Sequence, residues 1–144
     1  MEVITFTSNY TVIKSWSRDL KLDCRLRAID VGLEQGRYYV KMISIRKKRS
    51  TNLATITAEN QNRDKVVELD TTPGFHARGR LNRRERDMET GYHHLEAGLE
   101  LTWDYPKQQQ SGSYECSVLF YYKNRMHYQI ESLRFLEISY DYNG

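Results

Sequence analysis

The sequence predicts an all-β chain, an antiparallel sandwich or barrel, on three observations. Apolar and polar residues alternate with period two in three long stretches, strand formers abound with 11 Tyr among 144 residues, and no strong amphipathic helical pattern separates the stretches. Alternation at i, i+2 and i+4 keeps one set of side chains on one side of a strand, whereas a helix would scatter the same set around its axis.

In chain order, "EVITFT" and "YTVIKS" read as a broken first strand. "LKLDCRLRA" is the first clear half-buried strand, with Leu20, Leu22, Cys24, Leu26 and Ala28 inward. "RYYVKMISIRK" reads as a central strand, and "TNLATITAE" and "KVVELD" as shorter ones. Thr71 to His94 breaks the pattern with Pro73, Gly74, Gly79 and Gly91 among dense charge, and is expected to be a long hairpin or inserted loop, about 71–94. In "LEAGLELTWD" the inward set is Leu95, Ala97, Leu99, Leu101 and Trp103. "SGSYECSVLFYY" places Tyr114, Cys116, Val118 and Phe120 inward, with Leu119 and Tyr121 outward and Tyr122 inward. "YQIESLRFLEIS" closes the chain, and its alternation slips between Ile130 and Leu133, which predicts a bulge there.

One domain spanning 1–144 is expected for a 17.1 kDa chain. A hydrophobic fraction of 39% with 2 Pro and 8 Gly excludes disordered and collagen-like classes, and no apolar run is long enough to predict a membrane span. The opening "MEVITFTSNYTV" lacks the basic flank, apolar core and cleavage site of a secretory signal. A net charge of +3 does not by itself point to nucleic acid, and Glu85, Asp87 and Glu89 interrupt the arginines of the excursion, so no nucleic-acid partner is expected.

Catalysis finds no support. No phosphate-cradling glycine loop, nucleophile elbow or HExxH motif occurs, and Glu96 and Glu100 fall on the outer side of a strand without a partnered acid or base. No cofactor is expected. His76, His93, His94 and His127 lack ligand spacing, and neither cysteine belongs to a CxxC, so no metal is expected either. Cys24 and Cys116 both occupy inward strand positions. That leaves two free core thiols or a disulfide as the readings to separate.

"LDCRL", "LELTW" and "SGSYECSV" resemble the B, E and F strands of an immunoglobulin superfamily domain, with Leu22 and Leu101 at its usual core positions. The resemblance implies a variable-type-like antiparallel sandwich, an inter-sheet disulfide between Cys24 and Cys116, and a tyrosine corner at Tyr114, two residues before the second cysteine. Over most of its length the chain is similar to the amino-terminal immunoglobulin domains of mollusc fibrinogen-related proteins and their lectin-fused relatives, on "VKMISIRKKRSTNLATIT", "LELTWDYPKQQQSGSYECSVLFYY" and "ESLRFLEIS". One departure stands out: the zone of the usual strand-C tryptophan holds Tyr38, Tyr39, Val40 and Met42, so Trp103 or an apolar residue such as Val40 is expected to fill that space.

The resemblance implies a secreted, extracellular, non-enzymatic recognition module of innate immunity that binds foreign glycoproteins or mediates self-assembly; the alternative is an adhesion or receptor ectodomain. Two surface features are candidates for binding. Arg46, Lys47, Lys48 and Arg49, joined by Arg78, Arg80, Arg83 and Arg84 if their loops converge, would attract an acidic glycan; otherwise they form a solvated hairpin tip. Tyr121, Tyr122, Tyr128, Tyr140 and Tyr142 would offer a protein, or a second copy of the chain, a tyrosine-rich face, although alternation assigns Tyr122 inward. "NYT" makes Asn9 a candidate N-glycosylation acceptor.

Overall fold

The computed structural model describes residues 2–14, 16–30, 38–60 and 63–138. Its strands are β1 (Glu2–Ser8), β2 (Val12–Ile13), β3 (Leu20–Asp30), β4 (Tyr39–Lys47), β5 (Asn52–Asn60), β6 (Arg63–Glu68), β7 (Phe75–Arg86), β8 (His93–Trp103), β9 (Gly112–Tyr122) and β10 (Arg125–Ile138), with a 3-10 turn at Gln108–Gln110 before β9. They form a four-stranded sheet ordered β1-β3-β8-β7 and a six-stranded sheet ordered β2-β10-β9-β4-β5-β6. With the two strands β5 and β6 appended beside β4, this is the strand order of a variable-type immunoglobulin sandwich. Pairing is antiparallel except for the short β2, which runs parallel to the end of β10.

The alternation read from the sequence becomes the core. Leu20, Leu22, Leu26 and Ala28 of β3 and Leu95, Leu99 and Leu101 of β8 are buried on one sheet, and Val40, Ile43, Ile45, Ile56, Val118 and Phe120 on the other. Between them Cys24 and Cys116 form a disulfide with Cα atoms 6.4 Å apart, closing a sequence separation of 92. Tyr114 is the corner: its hydroxyl donates to the carbonyl of Gln110, four residues upstream. Burial, reinforced by the negative charge of Asp70, pushes its phenol far above the ordinary tyrosine value, so it stays a donor at any ordinary pH.

One expectation is narrowed and two change. Of the hairpin and the inserted loop expected for 71–94, the structure takes the hairpin: Phe75–Arg86 forms β7, an edge strand paired along β8. Its inward set is Phe75, Ala77, Gly79 and Leu81, an alternation weakened by two small residues. The break in the β9–β10 register lies between Leu133 and Leu136 rather than between Ile130 and Leu133, where pairing is continuous. The strand-C space is shared: Ile45 is the cross-strand neighbour of Cys116 and Leu99 that of Cys24. Trp103 lies one end away, buried against Phe75 at 5.1 Å and Tyr114 at 6.2 Å between ring centres. Its indole N–H donates to Asp70 at 2.8 Å, which satisfies the buried polar atom.

The edge strands β6 and β7 lie on different sheets, yet side chains stitch them. Glu68 accepts from the backbone N–H of Ala77 at 2.8 Å and Asp64 from that of Leu81 at 2.9 Å, so edge donors that would otherwise invite a foreign strand are occupied. At the β7 bulge, Asn82 has a positive φ of 55°. Its side chain bonds both backbone groups of Val40, at 2.7 and 2.9 Å, as a paired strand would.

Reduction of the disulfide, or Cys24→Ala with Cys116→Ala, is expected to cost about 4 to 5 kcal/mol in denaturant unfolding, the scale for a loop of this length; an unchanged midpoint with reductant would contradict this bridge. Tyr114→Phe, which leaves a buried carbonyl unpaired, is expected to cost about 1 to 3 kcal/mol by the same measurement, with the disulfide still formed by thiol titration.

Candidate functional site

Strand parity assigns every remaining side chain to one of two outer faces. On the six-stranded sheet the register rows are Met126–Tyr121–Tyr39, Tyr128–Leu119–Met42 and Ile130–Ser117–Ser44, crossing β10, β9 and β4. Met126, Tyr128 and Ile130 are exposed at 54%, 59% and 48%, and Tyr121 and Leu119 beside them are half-buried. The next row carries charge, Arg46 holding Glu115 at 2.9 Å. An apolar band bordered by an ion pair is the usual anatomy of a protein-contact surface. The tyrosine set divides: Tyr121 and Tyr128 share this face, Tyr122 turns inward to stack on Tyr38 at 4.2 Å, and Tyr140 and Tyr142 lie outside the described residues.

The outer face of the four-stranded sheet is different in kind. Here β1, β3, β8 and β7 place Thr5–Arg25–Gly98–Arg80 in one row, Val3–Arg27–Glu96–Arg83 in a second, and Thr7–Asp23–Glu100–Arg78 in a third. All of these residues but Thr7 line an open trough of about 890 Å³. Opposite charges pair within it: Arg25 with Asp23 at 2.9 Å, Arg78 with Glu100 at 3.0 Å, and Arg27 with Glu96 at 3.8 Å. Asp23 is partly desolvated and directly opposite Glu100; loss of water, opposed by Arg25 and reinforced by Glu100, raises its carboxyl above the ordinary aspartate value.

The two basic groups seen in the sequence do not converge. Arg46 and Lys47 lie at the far end of β4, with the Lys47 ammonium on the Gln109 carbonyl at 2.7 Å and Lys48 and Arg49 exposed in the following turn. Arg78, Arg80 and Arg83 line the trough on the other sheet. Arg84 reaches the carbonyl of Tyr38, next to the beginning of β4. The nine residues of β4, at roughly 3.3 Å each, separate the ends. Alternation could not place these residues, because Arg83 and Arg84 are adjacent, with a register shift between Arg80 and Arg83.

Asn9 is exposed, and its side chain joins chain segments: Nδ2 donates to the Asp19 carbonyl and Oδ1 accepts from the Lys21 N–H, both at 2.8 Å. The carbonyl contact uses one of the two amide hydrogens. Among the described residues no group of three or more His, Cys, Asp or Glu side chains is placed to hold a metal ion, and no helix is long and apolar enough to cross a membrane.

No family model and no curated protein matches the sequence. Among solved structures the chain is similar to murine CRIg, with a TM-score of 0.53 and 11% identity over 96% of this chain and 98% of that one. The fold is immunoglobulin-like. A further likeness is to Dpr1 IG1 in its complex with DIP-eta IG1, with a TM-score of 0.46 and 11% identity over 96% of each chain.

The raised Asp23 carboxyl has a definite sign in linkage. Between the ordinary aspartate value and the raised one, the folded chain holds a proton that the unfolded chain has lost, so this group's contribution to stability falls as pH rises through that window. Asp23→Asn is therefore expected to gain stability relative to the parent chain as pH rises from the ordinary aspartate value toward neutrality, read from denaturant midpoints. A relative loss over the same range would mean that Arg25 dominates and the carboxyl is lowered.

Proposed function

We propose that the chain is a non-enzymatic extracellular recognition module that contacts protein through the outer face of the six-stranded sheet. One observation carries the reading: Met126, Tyr128 and Ile130 stand exposed in sequence-alternate positions on β10, beside Leu119 and Tyr121 of β9, so apolar side chains form a continuous band in water. Burying such a band stabilises a complex by roughly 25 cal/mol per Å² of apolar surface before the costs of association. Tyrosine and methionine are enriched in such surfaces, where rings bring area with little loss of side-chain freedom.

The disulfide supports an oxidising, extracellular setting. Within that setting the likeness to mollusc fibrinogen-related proteins favours an innate-immune role, with a foreign glycoprotein or a second copy of the chain as the partner. A two-fold contact would suit the face: its centre is uncharged, and the Arg46–Glu115 pair at its border would meet its own complement across the axis.

The test uses two probes, the chain itself in sedimentation velocity over a wide concentration range and an immobilised mucin. Association with either is expected to fall at least tenfold in Met126→Glu with Tyr128→Glu, at an unchanged melting temperature. Absence of association with both, or association that survives the double change in a folded variant, would overturn the reading.

A further inference from the structure

The trough on the opposite sheet contains a glycine that the fold does not demand. Gly79, its neighbour, is demanded: a Cβ there would lie 2.3 Å from the carbonyl of Gly98 and 3.2 Å from Ile56. Gly98 is otherwise. Its φ lies outside the positive region, and a Cβ would meet the carbonyl of Cys24 at 3.4 Å and Arg25 at 3.5 Å, ordinary contact distances. Glycine in a strand interior costs stability and often marks a place where something approaches the backbone closely. Here it opens the floor of the trough between Arg25 and Arg80, its register neighbours on either side.

The walls are unevenly charged, with five arginines against three carboxylates. Arg80 is exposed and makes no ion pair among the described residues. Arg27 is held only loosely, 3.8 Å from Glu96, and Arg83 turns to Glu85 on a rim open to solvent. These guanidiniums are available to an incoming oxyanion, which they bind through paired N–H donors. Four strands at about 4.8 Å spacing make the floor about 14 Å wide, long enough for successive anionic groups of one chain.

We propose that this trough binds a sulfated polysaccharide, its sulfates on Arg80, Arg27 and Arg83 and its backbone lying over Gly98. The retained carboxylates favour a sugar: Asp23, Glu96 and Glu100 accept from hydroxyl donors, which a polysaccharide carries between its sulfates and a DNA backbone lacks. Among the described residues no aromatic ring lines the trough, so bases would find no stacking platform there. Because the trough lies on the sheet opposite the apolar band, this site and the protein-contact face stand or fall separately.

The probe is a heparin-derived octasaccharide, followed by calorimetry between 50 and 200 mM salt. Arg27→Ala with Arg80→Ala is expected to weaken binding at least tenfold and to flatten its salt dependence. Gly98→Leu is expected to weaken it similarly with every charge in place, whereas Lys48→Ala with Arg49→Ala, at the distant turn, should change it less than twofold. Desulfated octasaccharide and a DNA oligonucleotide of equal charge should compete at least tenfold more weakly. Absence of binding at low salt, loss in the distant-turn variant equal to that in the arginine variant, or equal competition by the DNA or the desulfated chain would each overturn the proposal. If Gly98→Leu misfolds by thermal melt, the arginine variants decide alone.

Discussion

The bond between Cys24 and Cys116 fixes more than the distance between two sheets. It joins β3 and β9, strands flanked on both sides by others of their own sheets, and requires both residues to point inward. Once Cys24 is inward, Asp23, Arg25 and Arg27 must be outward; once Cys116 is inward, Glu115, Ser117, Leu119 and Tyr121 must be. A slip of one residue in either strand would reverse every assignment. Pairing then carries the parity to β1, β8 and β7 on one side and to β10, β4 and β5 on the other. Both candidate surfaces are consequences of that single constraint.

Around the bridge the core is graded. Aliphatic Leu22, Leu26, Ile43, Ile45 and Val118 occupy its middle, and aromatic rings gather at the two ends. Phe75, Trp103 and Tyr114 pack at one end, where Asp70 accepts the indole N–H and the corner hydroxyl is satisfied by backbone. Tyr38, Phe120, Tyr122 and His127 pack at the other. The large ring missing from strand C is thus offset by rings on β7, β8 and β9. Its absence leaves room for the smaller Ile45 beside Cys116, its register partner.

Strand alternation made the interior of β3, β8 and β9 legible residue by residue, because period two is a direct imprint of a half-buried sheet. It was weakest at β7, where Ala77 and Gly79 fill inward places and arginines crowd the outward ones, so a hairpin and an inserted loop both stayed open there. Contacts that depend on tertiary placement left no local trace. Nothing in the order of residues announces that Asn82 will grip Val40, or that Asp64 and Glu68 will cap the free edge of β7. The same limit governed the arginines of β7, whose side of the sheet follows from the register shift between Arg80 and Arg83. Gly98 was visible as a polar-side residue of an alternating strand; only its setting between Arg25 and Arg80 gives it meaning.

The two outer faces differ in what stability alone explains. Cross-strand pairs of opposite charge contribute roughly 0.2 to 1 kcal/mol each, which accounts for Arg78 beside Glu100 and Arg27 beside Glu96 as ordinary sheet chemistry. It does not account for Asp23 directly opposite Glu100, a like-charge juxtaposition that opposes folding, for Arg80 without an ion-pair partner among the described residues, or for a glycine where a Cβ would fit. On the other sheet, Met126, Tyr128 and Ile130 in alternate positions of β10 leave about half of their surface in water, and that half contributes nothing to the folding of the isolated chain. A sequence shaped only by the stability of this sandwich would exchange each of these features for a paired charge, a larger side chain or a polar one. These features on two opposite surfaces are the observations on which the proposed contacts of both faces rest.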